Sequence, residues 1–98
     1  METTSPASPD DEVDGNRLTG GMARDVLEFL AESIVEEPDA VVVELAEHPG
    51  RVDLRLSVAP ADMGRVIGRK GRVANALRAV VRVAGAREGV EATVDIVG

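Results

Sequence analysis

The chain has 98 residues, with 18 acidic against 11 basic side chains and a formal net charge of −7, a length that holds one domain and not two independent cores. One aromatic residue (Phe29), one histidine (His48) and no cysteine exclude aromatic stacking platforms for bases, multi-histidine metal clusters, disulfide frameworks and thiolate chemistry. No apolar run approaches a membrane span and the polar, acidic start is unlike a secretory signal, so a soluble cytoplasmic protein with no membrane partner is expected.

Residues 1–21 are rich in Ser, Thr, Pro, Asp, Glu and Gly and carry a net charge of −4. Such a stretch buries too little apolar surface to offset the entropy of ordering, and reads as a disordered acidic tail. The folded domain is expected over residues 22–98. From Met22, the residues Val26, Leu27, Leu30 and Ile34 recur at helical spacing, with Asp25, Glu28 and Glu32 opposite them. Pro38 ends the helix, because the residue before a proline is pushed out of the α region. Phe29 falls at the edge of the apolar stripe and reads as a core-rim residue, with a dimer contact as the alternative.

A β-branched run, Val41 to Glu47, precedes His48-Pro49-Gly50. In the following run Val52, Leu54, Leu56 and Val58 alternate with Arg51, Asp53, Arg55 and Ser57. Period-2 alternation marks a strand with one buried and one wet face, and Pro49-Gly50 supplies the turn of an antiparallel hairpin. His48 reads as a turn residue without chemistry. Pro60 suits the first position of a short helix and Asp62 complements its positive end, before Gly68 interrupts it. A longer helix is predicted from about Gly71 to Ala84, with Val73, Leu77, Val80, Val81 and Ala84 as its apolar stripe and Gly85 as its left-handed cap. Val90, Ala92, Val94 and Ile96 then alternate with Glu91, Thr93 and Asp95 as a third strand. A crossover of two helices fits parallel strands. The expected fold is therefore α+β: helix-strand-strand-helix-helix-strand, a three-stranded mixed sheet, and helices packed on one face.

Charge is distributed unevenly. Residues 22–47 carry −7, whereas 61–87 carry +6, and no acid stands between Met63 and Arg87. Inside that basic stretch, Gly68 and Gly71 bracket Arg69 and Lys70 between the two crossover helices. Two positions without side chains let a ligand backbone approach the main chain. The unsatisfied N–H groups and the dipole of the following helix favour an anion there, and Arg69 and Lys70 add full charges. A phosphodiester strand satisfies all of these at once, with Val66 and Ile67 as an apolar wall for a base. Taken alone, a glycine pair is equally a tight turn between helices; the acid-free surroundings and the adjacent apolar residues favour the ligand-binding reading. A P-loop is excluded, since the required Gly-Lys-Ser/Thr does not follow Gly64. A helix-hairpin-helix motif leaves the sheet unexplained.

Val66-Ile67-Gly68-Arg69-Lys70-Gly71-Arg72 resembles the V-I-G-x-x-G signature of a KH domain, whose loop clamps single-stranded nucleic acid. The element order resembles the type II form, and Met22–Val97 as a whole is similar to the small single-KH-domain bacterial RNA-binding proteins of the KhpA type. The resemblance implies that Gly68 and Gly71 permit backbone approach, Arg69 and Lys70 contact phosphates, Val66 and Ile67 line the groove above Leu54 and Leu56, and Arg65, Arg72 and Arg78 add electrostatic contacts. It implies an RNA chaperone or post-transcriptional regulator linked to cell elongation and division. The implied partners are single-stranded RNA, a second copy, and a larger multidomain KH protein. A second reading is a protein-interaction module docking through the acidic Asp25, Glu28, Glu32, Glu36 and Glu37. No carboxylate pair, nucleophile–base pair or ligand set marks an enzyme, and no cofactor, metal or small-molecule substrate is expected.

Overall fold

The structure, a computed structural model, describes residues 20–97. Its elements are α1 (Gly21–Ile34), β1 (Val42–His48), β2 (Arg51–Ser57), α2 (Met63–Ile67), α3 (Arg72–Arg87) and β3 (Glu91–Val97), with 3-10 turns at Pro38–Ala40, Pro60–Asp62 and Arg69–Gly71. The acidic tail expected over residues 1–21 lies, up to residue 19, outside the described residues.

The sheet order is β1-β2-β3. β1 and β2 pair antiparallel, His48 facing Arg51 across the Pro49-Gly50 turn, and β2 and β3 pair parallel, Leu54 facing Val94. The mixed sheet predicted from the helical crossover is thus present. β2 lies in the middle, so Val52, Leu54 and Leu56 are at most 1% exposed. They meet Ala23, Leu27 and Ala31 of α1, Val66 of α2, and Leu77, Val81 and Ala84 of α3 in a single core. Each fully buried Leu or Val adds about 1.5–3 kcal/mol over leaving it in water. All helices cover one face of the sheet, and the start of α1 lies beside the end of α3, where the Ala23 N–H donates to Glu88 Oε1 at 3.4 Å.

Several expectations are corrected in detail. α1 starts at Gly21 and stops at Ile34, well before Pro38, which instead opens a 3-10 turn. The small residues Ala23 and Ala31 hold its deepest positions with Leu27, while Val26, Leu30 and Ile34 are only partly buried, because a helix lying close on a sheet favours small side chains at the contact. Phe29 is 67% exposed and takes no part in a core rim. His48 closes β1 rather than sitting in the turn, with Nε2 at 3.1 Å from Asp53 Oδ2. Gly85 does not end α3 but sits buried within it; a Cβ there would lie 2.8 Å from the Ala92 Cβ. The helix crosses β3 too closely for any side chain, and Gly89, at φ +77°, makes the turn into the strand. Val80 is half-exposed, and Ala74 is buried in its place.

Candidate nucleic-acid interface

α2 is stopped by Gly68, whose N–H donates to the Gly64 carbonyl at 2.9 Å while its backbone leaves the helical region at φ 77°, ψ 169°. One 3-10 turn follows, closed by the Gly71 N–H on the Gly68 carbonyl at 3.1 Å. Within it Lys70 has φ 57°, ψ 25°, and is the only non-glycine residue with positive φ among the described residues. Gly71 continues left-handed at φ 74°, ψ 15° and leads directly into α3. Three residues of positive φ in four fold the chain back sharply, so Arg69 and Lys70 stand exposed to solvent. A lysine held in the left-handed region costs about 1 kcal/mol. Such cost persists at functional sites.

The two glycines have different reasons. At Gly68 a Cβ would lie 2.4 Å from Val73 Cγ2 and 2.8 Å from the Val73 backbone nitrogen, so the missing side chain lets α2 and α3 approach each other. At Gly71 nothing lies within 4 Å of that position, and the surface there is open to a ligand. No side chain caps the start of α3, which leaves N–H groups and the positive end of a 16-residue helix facing outward. Among the described residues no acidic group pairs with Arg69, Lys70 or Arg72.

The remaining expected site residues are placed differently. Val66 is 0% exposed and supports the loop from the core; it is not a wall that a base can touch. Ile67 is partly exposed at the loop's edge. Arg65 turns away from the loop, with its Nη2 at 2.8 Å from Glu36 Oε2 and its Nε at 3.4 Å from Asp62 Oδ1. Arg78 lies further along α3, where its Nε donates to the Val94 carbonyl at 3.3 Å and its Nη1 to Asn75 Oδ1 at 3.4 Å. With Arg82 it walls a groove whose other side is Glu91–Val94 of β3. Leu54 and Leu56 of β2 are buried in the core between the sheet and the helices. Asp62 has a role that the sequence does not reveal: it is 2% exposed, the only buried charged residue among those described.

The wet face of the sheet offers no competing anion site. Arg55 is flanked across the strands by Glu44 and Asp95, and Arg51 by Glu91. The Thr93 hydroxyl donates to Asp53 at 2.7 Å and, ahead of the Arg51 guanidinium, holds that carboxyl below its ordinary range. Among the described residues no helix is long and apolar enough to cross a membrane, and no group of three ligating side chains is placed to hold a metal ion.

Comparison with known proteins gives the family of the chain. The profile of the family described as KhpA/KhpB, KH domain, matches residues 24–96. The chain is 40% identical over 74 residues to RNA-binding protein KhpA of Clostridium acetobutylicum, covering 76% of this chain and 99% of that one. It is 48% identical over 67 residues to RNA-binding protein KhpA of Streptomyces coelicolor, covering 67% and 84%. Among solved structures it is similar to Era of Aquifex aeolicus bound to GDP and aluminium fluoride, with a TM-score of 0.58 at 16% identity; the match covers 99% of this chain and 46% of Era, and is a likeness of fold alone. With its profile match over most of the chain and relatives matched almost end to end, this chain belongs to the KhpA/KhpB KH-domain family.

Proposed function

We propose that the protein binds single-stranded RNA by clamping the sugar-phosphate backbone at Gly68–Gly71, and acts as an RNA chaperone or post-transcriptional regulator rather than as an enzyme. The observation that carries this reading is the sharply turned, solvent-exposed loop with Arg69, Lys70 and Arg72 beside the uncapped start of α3. The names of the relatives, RNA-binding proteins, support it. Gly71 admits the backbone, Ile67 offers an apolar edge, and Arg78 and Arg82 extend the positive surface along α3. With no aromatic platform and, among the described residues, no acidic group paired with Arg69, Lys70 or Arg72, readout of sequence is weak. A cytoplasmic role tied to cell elongation and division follows from the resemblance. Titration of the labelled protein with decauridylate is expected to shift the amide signals of Gly68–Arg72 first. The slope of log affinity against log salt is expected to be about −1.5 to −3, for two to four phosphates at roughly −0.7 each. Unmoved loop amides, or a slope near zero, refute the reading.

We also infer self-association through the outer side of the helical layer. Met22 and Phe29 of α1 and Val80 and Val83 of α3 are 46%, 67%, 45% and 58% exposed, on two helices that pack side by side. α1 carries Asp25 and Glu32 in solvent, α3 carries Arg82 and Arg87. A two-fold axis along the helices lays α1 of one copy on α3 of the other, so opposite charges meet. A larger multidomain KH protein with a similar face is the alternative occupant, and then the protein works mainly as an interaction module. In sedimentation, Phe29→Asp with Val83→Asp is expected to raise the dimer dissociation constant at least about tenfold and to weaken RNA binding through reduced avidity. An unchanged monomer–dimer balance refutes this interface.

A further inference from the structure

Asp62 occupies the N-cap position of α2, where an aspartate ordinarily accepts hydrogen bonds from its own helix. It does not: its side chain makes no cap bond to α2. Both carboxylate oxygens instead reach across the chain. Oδ1 accepts the Glu36 N–H and Oδ2 the Glu37 N–H, each at 3.1 Å, on the segment that leaves α1. Arg65 Nε stands 3.4 Å from Oδ1, and the same guanidinium reaches Glu36 Oε2 at 2.8 Å. A carboxylate that is 2% exposed is costly unless its lone pairs are satisfied; here two main-chain donors and a guanidinium satisfy them.

The consequence concerns α2. It has only five residues, too few to hold a direction in water by themselves. One end of it is Gly68, where the chain leaves the helix, and the other end is this carboxylate. Five residues rise about 7.5 Å, so a small tilt at Asp62 moves the loop as a lever. Val66 in the core fixes how deep α2 sits; the hydrogen bonds at Asp62 fix the angle at which it delivers Gly68–Gly71. Resting on the RNA-clamp reading above, we propose that Asp62 is a positioning residue for that clamp. Arg65 serves the same brace and does not contact phosphate.

The test uses the full chain and decauridylate as probe. Asp62→Asn keeps one acceptor oxygen but sets an NH2 donor against one of the two backbone N–H groups and removes the charge beside Arg65. At a temperature well below its melting point it is expected to bind about tenfold more weakly, within the range of ordinary coupling between sites, with the loop amides already shifted in the RNA-free protein. The salt slope is expected to stay at the wild-type value, because the number of phosphates bound is unchanged. Arg65→Gln likewise leaves the slope unchanged, whereas an arginine that did bind a phosphate would, once replaced, make it shallower by about 0.7. Coupling is reciprocal, so in the wild type saturating decauridylate is expected to slow hydrogen exchange at the Glu36 and Glu37 amides. That measurement stands even where Asp62→Asn does not fold. A folded Asp62→Asn binding within twofold of wild type, or Glu36 and Glu37 exchanging at the same rate with and without RNA, overturns the proposal. Wild-type protein that does not bind decauridylate at all overturns the clamp itself.

Discussion

Replacing Arg69 and Lys70 together by aspartate is expected to lower affinity for single-stranded RNA at least about a hundredfold, with the thermal melt displaced by no more than about 4 °C. On the proposed clamp, two charge-assisted bonds to phosphate disappear, and two like charges are placed beside the same phosphates. At about 1 kcal/mol for each charge at close range in water, the four changes together approach 3–4 kcal/mol. That corresponds to a factor of several hundred. Stability is nearly untouched because both side chains are exposed and, among the described residues, neither holds an ion pair. Surface changes of that kind fall within about 0.5 kcal/mol, which is about 2–4 °C for a domain of this size. Lys70 adopts φ 57°, a region that aspartate tolerates better than lysine, so backbone strain is if anything relieved. Fluorescence anisotropy with decauridylate and a circular-dichroism melt of the same samples check both halves. Equal binding by the double variant and the wild type removes the loop from the mechanism.

The hairpin, the parallel third strand and the basic loop are all legible in the sequence because each depends on local pattern. Alternation in Val52-Leu56 and Ala92-Ile96 fixes which strand faces are buried, and the acid-free run around Gly68 is visible by counting charges. What escapes depends on distance between elements. Gly85 looks like a helix stop until α3 is seen to touch Ala92 at that point. Ala23 and Ala31 look too small for a core until α1 is laid against the sheet. Arg65 falls among the loop cations because it stands three residues before Gly68, yet Glu36, from a different element, takes its guanidinium. Asp62 looks like a partner of its own helix dipole, whereas its partners lie 25 and 26 residues away. No local rule reports such a pairing. The same blindness affects Phe29: beside Val26 and Leu30 it reads as the rim of the stripe, yet the buried row is Ala23, Leu27 and Ala31, and Phe29 lies on the far side of the helix, 67% exposed.

Alanine at Gly68 and alanine at Gly71 are expected to separate folding from binding, although the two positions look alike in sequence. At Gly68, φ 77° with ψ 169° is a region open essentially to glycine alone, and a residue forced into it costs about 1–3 kcal/mol. The added methyl also meets Val73 Cγ2 at 2.4 Å and the Val73 nitrogen at 2.8 Å. The valine side chain can rotate, but the nitrogen belongs to the first turn of α3 and can yield only by moving the helix. A total loss of about 2–4 kcal/mol is expected, a large part of the stability of a small domain; urea denaturation reads it as a fall in midpoint. Gly71 differs on both counts. Its φ 74°, ψ 15° is the ordinary left-handed region, costing alanine about 1 kcal/mol, and nothing lies within 4 Å of the new methyl. Gly71→Ala is therefore expected to stay folded and yet bind decauridylate about tenfold more weakly, because on the proposed clamp the methyl stands in the path of the RNA backbone. Should Gly71→Ala bind like the wild type, the open surface over Gly71 is not the path of the strand. Should Gly68→Ala fold as well as Gly71→Ala, the close approach of α2 and α3 at Val73 is not what the first glycine serves.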